Sequence, residues 1–133
     1  MRGDGQTIQR MRPIITILAL LLSLSATGQT IEQVRQELHR QGVPHAQIVL
    51  AQARLETGNF TSRRCREDNN LFGIKHNGRY AQYRHWRESV ADYKKYISSR
   101  YKGGNYYVFL ERIGYAEERG YTQKLQKIIR TSK

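Results

Sequence analysis

Residues 48–75 read IVLAQARLETGNFTSRRCREDNNLFGIK, and the rest of the chain is arranged about this stretch. Ala46, Ile48, Val49, Leu50, Ala51, Ala53 and Leu55 cover most of a helical circumference. Such coverage belongs to a buried central helix, because a surface helix keeps one polar face. Val43-Pro44 offers a start, since proline fits the first helical position, where its missing N–H would be unpaired anyway. Gly58 is a natural C-terminal stop. Residues 57–70 mix glycine, asparagine, serine and charge without an apolar period, and are expected to form a loop.

Gln52 and Glu56 stand four apart and share one face of that helix. Glu56 falls in the last turn, where desolvation and the negative end of the helix dipole both disfavour a carboxylate. A carboxyl held toward its protonated form is what a general acid needs near neutral pH. The plainer alternative is a solvated glutamate at a helix end, the usual place for the residue type.

Working toward the N-terminus, Thr30 and Gln33 make a capping box, and Val34 and Leu38 follow on one face of a helix that stops at Gly42. Farther upstream Arg2, Arg10 and Arg12 precede an apolar run over 14–24, then the small residues Ala26 and Gly28. Basic, apolar, then small is the order of a secretory signal peptide. Cleavage is expected after Gly28, which leaves residues 29–133 as one domain outside the cytoplasm, periplasmic or secreted. An uncleaved anchor would want about 20 apolar residues, and the run is shorter.

Working toward the C-terminus, Asn77-Gly78 is a type I′ hairpin signal, and a small hairpin is expected with residues 73–76 pairing with 79–83. Its aromatic residues Tyr80 and Tyr83, with Trp86 just beyond, are candidates to stack on a planar or ring-shaped ligand, or simply to pack a thin sheet on helices. Val90, Tyr93, Ile97 and Tyr101 mark one helical face over 88–101. Asn105 can cap a further helix with Tyr106, Phe109, Leu110 and Ile113 as its stripe. Tyr121, Leu125, Ile128 and Ile129 form the stripe of a last one, with Lys124, Lys127, Arg130 and Lys133 on its solvated side.

The 133 residues carry a formal charge of +12. Removing Arg2, Arg10, Arg12 and Asp4 from the 23 basic and 11 acidic side chains leaves 20 and 10, still strongly basic. A polyanionic partner suits such a chain, and export makes nucleic acid the poorest of the choices. Cys65 is the only cysteine, so no internal disulfide forms. Its neighbours Arg63, Arg64 and Arg66 would favour the thiolate, but a nucleophile would also want a histidine or other base nearby in space, and Cys65 is expected to be an incidental loop thiol. The four histidines show no metal-ligand spacing, and neither metal nor cofactor is expected.

Ala51-Gln52-Ala53-Arg54-Leu55-Glu56-Thr57-Gly58, then Asn69-Asn70-Leu71-Phe72-Gly73-Ile74-Lys75, resembles the bacterial glucosaminidases of glycoside hydrolase family 73. The likeness runs on through Glu88-Ser89-Val90-Ala91-Asp92-Tyr93 and Gly114-Tyr115-Ala116 to Tyr121-Gln123-Lys124-Leu125. It implies a mainly α, lysozyme-like helical domain with one small β-hairpin, acting as a monomer on peptidoglycan glycan strands. Membrane contact would be limited to the leader. The resemblance makes Glu56 the general acid, lines the cleft with Tyr115 and makes its floor from the segment with Asn69, Asn70 and Phe72. Tyr115 is expected to assist catalysis by positioning or stabilising the sugar, and Gln52, Tyr80, Tyr83 and Tyr121 are further candidate substrate contacts. Members of the family often carry a second acid on the hairpin, but residues 75–84 hold no Asp or Glu. Glu67 and Asp68 in the preceding segment are candidate bases. Alternatives are the sugar's own 2-acetamido group, or a transglycosylase outcome that needs a single carboxyl.

Overall fold

The computed structural model describes residues 29–115 and 117–132; the leader expected over 1–28 lies outside them. The architecture is mainly helical with one small antiparallel hairpin, as the sequence implies. In chain order come α1 (Ile31–Arg40), α2 (Ala46–Thr57), α3 (Arg63–Asp68), β1 (Lys75–His76), β2 (Arg79–Tyr80), α4 (Trp86–Tyr96), a 3₁₀ turn (Ser98–Arg100), α5 (Tyr106–Arg112) and α6 (Tyr121–Thr131). No described helix is long and apolar enough to cross a membrane.

Helix α2 is the central element, packed between α1 and α6. Val49 and Ala53 are fully buried on it, against Val34 and Leu38 of α1 and Leu125 of α6. Leu71, Phe72, Val90, Tyr93, Tyr106, Phe109 and Leu110 complete one continuous core. Each large apolar side chain so buried contributes roughly 1.5–3 kcal/mol over its exposed state. The chain enters α1 through the capping box: the Thr30 hydroxyl accepts from Gln33 N, and the Gln33 side chain accepts from Thr30 N.

Four local readings need correction. Helix α2 starts at Ala46 and not at Pro44, because His45 takes a left-handed conformation (φ 51°) that no helix can run through. His45 is held there by stacking on Tyr106 and by a 2.9 Å hydrogen bond to the Tyr101 hydroxyl. Part of the expected loop is helical: Ser62 caps α3 by accepting from Cys65 N, and Cys65 anchors the turn in the core at 1 % exposure. That burial raises the thiol pKa, with Gln29 donating to Sγ and Arg66 acting the other way, so the expected thiolate is not favoured. Helix α4 ends at Tyr96, short of Tyr101, where Ser98 and Ser99 hydroxyls bond back to the carbonyls of Lys94 and Lys95 and the chain tightens into the 3₁₀ turn.

The hairpin is shorter than expected. Lys75 pairs with Tyr80 and His76 with Arg79, around Asn77-Gly78, both at positive φ as a type I′ turn requires. Two polar side chains substitute for a longer ladder. Asn70 Nδ2 donates to the carbonyls of Ile74 (2.9 Å) and Ala81 (3.0 Å), while its Oδ1 accepts from Ile74 N. Asp92 on α4 accepts from the Tyr83 hydroxyl (2.8 Å) and meets His76 Nε2 at 3.0 Å, tying both arms to the helix.

Candidate active site

Glu56 stands in the last turn of α2, one residue before the buried Thr57 and two before Gly58, which closes the helix in the left-handed region. As a residue it is exposed on one side. Protein crowds the other sides. Tyr121 at the start of α6 donates its hydroxyl to Glu56 Oε1 at 3.3 Å. Gly73 lies against Oε2 so closely that a Cβ there would sit 3.3 Å from it. Gly73 also has φ +65°, so both its backbone and the room beside the carboxyl call for glycine.

The expected upward shift of the Glu56 pKa is present. Loss of solvation at the crowded carboxyl is the main cause; the Tyr121 hydrogen bond opposes it, and the negative charge of Glu118 adds to it. Sequence reading missed Glu118. Glu118 lies in the connection between α5 and α6, far from Glu56 in the chain, and no helical spacing announces the relation. Glu118 forms an ion pair with Lys124 and helps line a hollow of about 350 Å³ with Glu111, Glu117 and Tyr121.

The other candidates separate into three groups. Tyr121 and Tyr115 come together beside Glu56, their ring centroids 6.0 Å apart. The Tyr115 hydroxyl donates to the Phe72 carbonyl at 2.6 Å, pinning the segment after α5 to the Leu71-Phe72-Gly73 floor. Burial pushes both phenols well above their ordinary pKa, and the nearby Glu56 charge reinforces this.

Gln52, Asn70 and Phe72 form the second group, and here the expectation of ligand contact is corrected. All three are buried, at 0 %, 1 % and 2 % exposure. The Gln52 amide is spent on Tyr93 and Tyr121, Asn70 on the hairpin brace, and the Phe72 ring packs on Tyr93 at 4.6 Å. Trp86 is likewise in the core, as the first residue of α4.

The third group lies along the α3–hairpin side. Tyr80 is exposed, with the Arg64 guanidinium 3.1 Å over its ring and Lys75 Nζ at 4.6 Å. Asn69 ends α3 in a left-handed conformation and donates to the Tyr83 carbonyl. Glu67 is exposed and engaged by Arg63 at 3.0 Å, while Asp68 holds Tyr83 N through its backbone carbonyl.

A separate concavity of about 430 Å³ opens on the face of α2 opposite Glu56, lined by Arg35, His39, Ile48, Arg54, Ile128 and Ile129. It contains none of the expected site residues, and the chemistry gathers at the other face. Among the described residues no group of three or more His, Cys, Asp or Glu is placed to hold a metal ion.

No curated protein and no solved structure matches the chain. The glucosaminidase family model, described as mannosyl-glycoprotein endo-beta-N-acetylglucosaminidase, does match it, over residues 31–133, and the chain belongs to that family.

Proposed function

We propose that the protein is an exported peptidoglycan hydrolase that cuts the β-1,4 bond after N-acetylglucosamine, with Glu56 as the proton donor. One observation carries this reading. Glu56 is an exposed residue, yet its surroundings favour the protonated carboxyl, and among the described residues no cation is hydrogen-bonded to it. An acid of this kind gives its proton to a glycosidic oxygen as the bond breaks, and Tyr121 then stabilises the carboxylate that forms.

The partner of the acid is where this chain is distinctive. No carboxylate stands on β1 or β2, and Glu67 is taken up by Arg63. The 2-acetamido group of the substrate supplies the nucleophile in our reading, which removes the need for a second carboxylate. Asp68 and Glu118 are the carboxylates to set against it. Tyr115 acts by shaping the cleft beside the sugar, its own proton being committed to Phe72. The basic surface, including Arg64 and Lys75 around Tyr80, would meet the carboxylates of the wall polymer. Export rests on the leader pattern in residues 1–28.

The acid-free hairpin also favours a second reading, a lytic transglycosylase, in which a sugar hydroxyl attacks and one carboxyl suffices. Mass spectrometry of sacculi digested by the purified protein separates the two. Reducing-end N-acetylglucosamine supports hydrolysis as proposed, and 1,6-anhydro ends replace it with the alternative. Equal, negligible digestion by the wild type and Glu56→Gln, with both still sedimenting with sacculi, would leave a wall-binding module.

A further inference from the structure

Behind Glu56 a line of side-chain hydrogen bonds runs into the core. Tyr121 donates to Glu56 Oε1 (3.3 Å), and Gln52 Nε2 donates to the Tyr121 oxygen (3.3 Å). The Tyr93 hydroxyl donates to Gln52 Oε1 (2.5 Å) and lies 2.8 Å from the Tyr106 hydroxyl. Gln52 and Tyr93 are fully buried, and Tyr106 is 1 % exposed. Each phenol has one proton, and the amide has a donor end and an acceptor end. Because Gln52 Oε1 only accepts, the Tyr93 proton goes to it, and Tyr106 must donate to Tyr93. The amide nitrogen then faces Tyr121, whose oxygen is occupied as an acceptor and whose proton is left for Glu56. Every donor along the line points the same way.

We propose that Gln52 and Tyr93 are positioning residues for the proton donor: Tyr93 locks the Gln52 amide in one orientation, and that orientation aims the Tyr121 proton at Glu56. Neither touches substrate. With the amide turned over, its oxygen would capture the Tyr121 proton and Glu56 would lose its donor. The arrangement favours the carboxylate and so restrains the rise in pKa from desolvation. During proton transfer a donor already stands where the new negative charge develops. The charged and titratable groups facing Glu56 are Tyr121 from α6, Tyr115 from the segment after α5, and Glu118 from the α5–α6 connection.

The catalytic meaning rests on the proposed function, but the test is independent of it. The Glu56 carboxyl carbon, ¹³C-labelled and assigned by comparison with Glu56→Gln, is titrated by NMR without substrate. Expected are an upward displacement of its midpoint in Tyr121→Phe, a smaller upward one in Tyr93→Phe, and the least in Tyr106→Phe, since Tyr93 still donates to Gln52 there. An unmoved midpoint in folded Tyr93→Phe overturns the proposal, as does a Tyr106→Phe displacement equal to that of Tyr93→Phe. In the unsubstituted protein the ζ-carbons of Tyr121 and Tyr93 should inflect at the Glu56 midpoint. Flat curves overturn the proposal without any variant having to fold. If sacculi are digested, Tyr93→Phe should lower kcat about tenfold with KM unchanged. A higher KM at constant kcat would instead make Tyr93 part of the binding surface. Correct midpoints with no digestion would refute the function and leave the hydrogen-bond line standing.

Discussion

Glu37 and Glu56, on adjacent helices, invert the usual link between exposure and charge. Glu37 is 5 % exposed and ought to resist ionisation, yet its pKa is lowered to about 2. A hydrogen bond from Arg40 is the main cause, with Gln41 and the charges of Arg40 and Arg87 outweighing the cost of burial. Glu56 is exposed and ought to ionise freely, yet its pKa is raised. Its near neighbours are a phenol, a glycine and another carboxylate. Glu37 gives up its proton because its partners outweigh its burial, whereas Glu56 is held toward its protonated form chiefly by lost solvation at the carboxyl itself.

The largest consequence should appear when the unpaired glutamate is removed. Glu56→Gln is expected to cut sacculus digestion by at least roughly 100-fold, the lower end of what a general acid supplies. Its fold should not suffer. A carboxyl with a raised native pKa favours the folded state only below its unfolded pKa, and that contribution is lost as pH rises through the folded value. Removing it should leave the melting temperature at pH 7 unchanged or higher, and a clear fall would mean Glu56 is a structural residue.

Next in size is Gly73→Ala, which puts a methyl group against Glu56 Oε2 and a side chain at φ +65°. Stability should drop by about 1–2 kcal/mol in urea unfolding, and digestion should fall with it even at temperatures where the variant stays folded.

Glu37→Gln should do the reverse, costing stability while sparing activity. With a native pKa below the unfolded one, Glu37 stabilises the fold above pH 4.5 and loses that contribution as pH falls toward 2. Arg40 is 68 % exposed, so solvent screening trims the effect to about 1–2 kcal/mol at pH 7. The difference between variant and wild type should vanish near pH 2, and a constant difference would mean the ion pairs are not its source. The smallest effect is expected from Glu118→Gln. Losing that nearby charge lets Glu56 release its proton more readily, so the alkaline limb of the pH–activity profile should move to lower pH. No movement would show that solvent screens Glu118 completely.

Much of this was legible in the residues themselves. The apolar circumference of 46–55, the Thr30–Gln33 capping box, the Asn77-Gly78 turn and the Tyr121–Leu125 stripe are local patterns, and each became the expected element. What escaped depends on residues far apart in the chain. Nothing near Gln52 says that Tyr93, 41 residues on, will bury its amide, nor near Asn70 that it will brace both arms of a hairpin. Helix α3 was hidden by its polarity, although Ser62 three residues before Cys65 was a cap in plain view. Glu118 could not be tied to Glu56 until the connection between α5 and α6 was seen.

The sealing of Cys65 has a practical corollary. With one thiol in 133 residues, 1 % exposed beneath Gln29, a sulfhydryl reagent meets its target only when the structure opens. The rate of labelling therefore counts opening events, and the chain carries its own unfolding clock. The same shelter keeps copies from cross-linking through sulfur while the fold is closed.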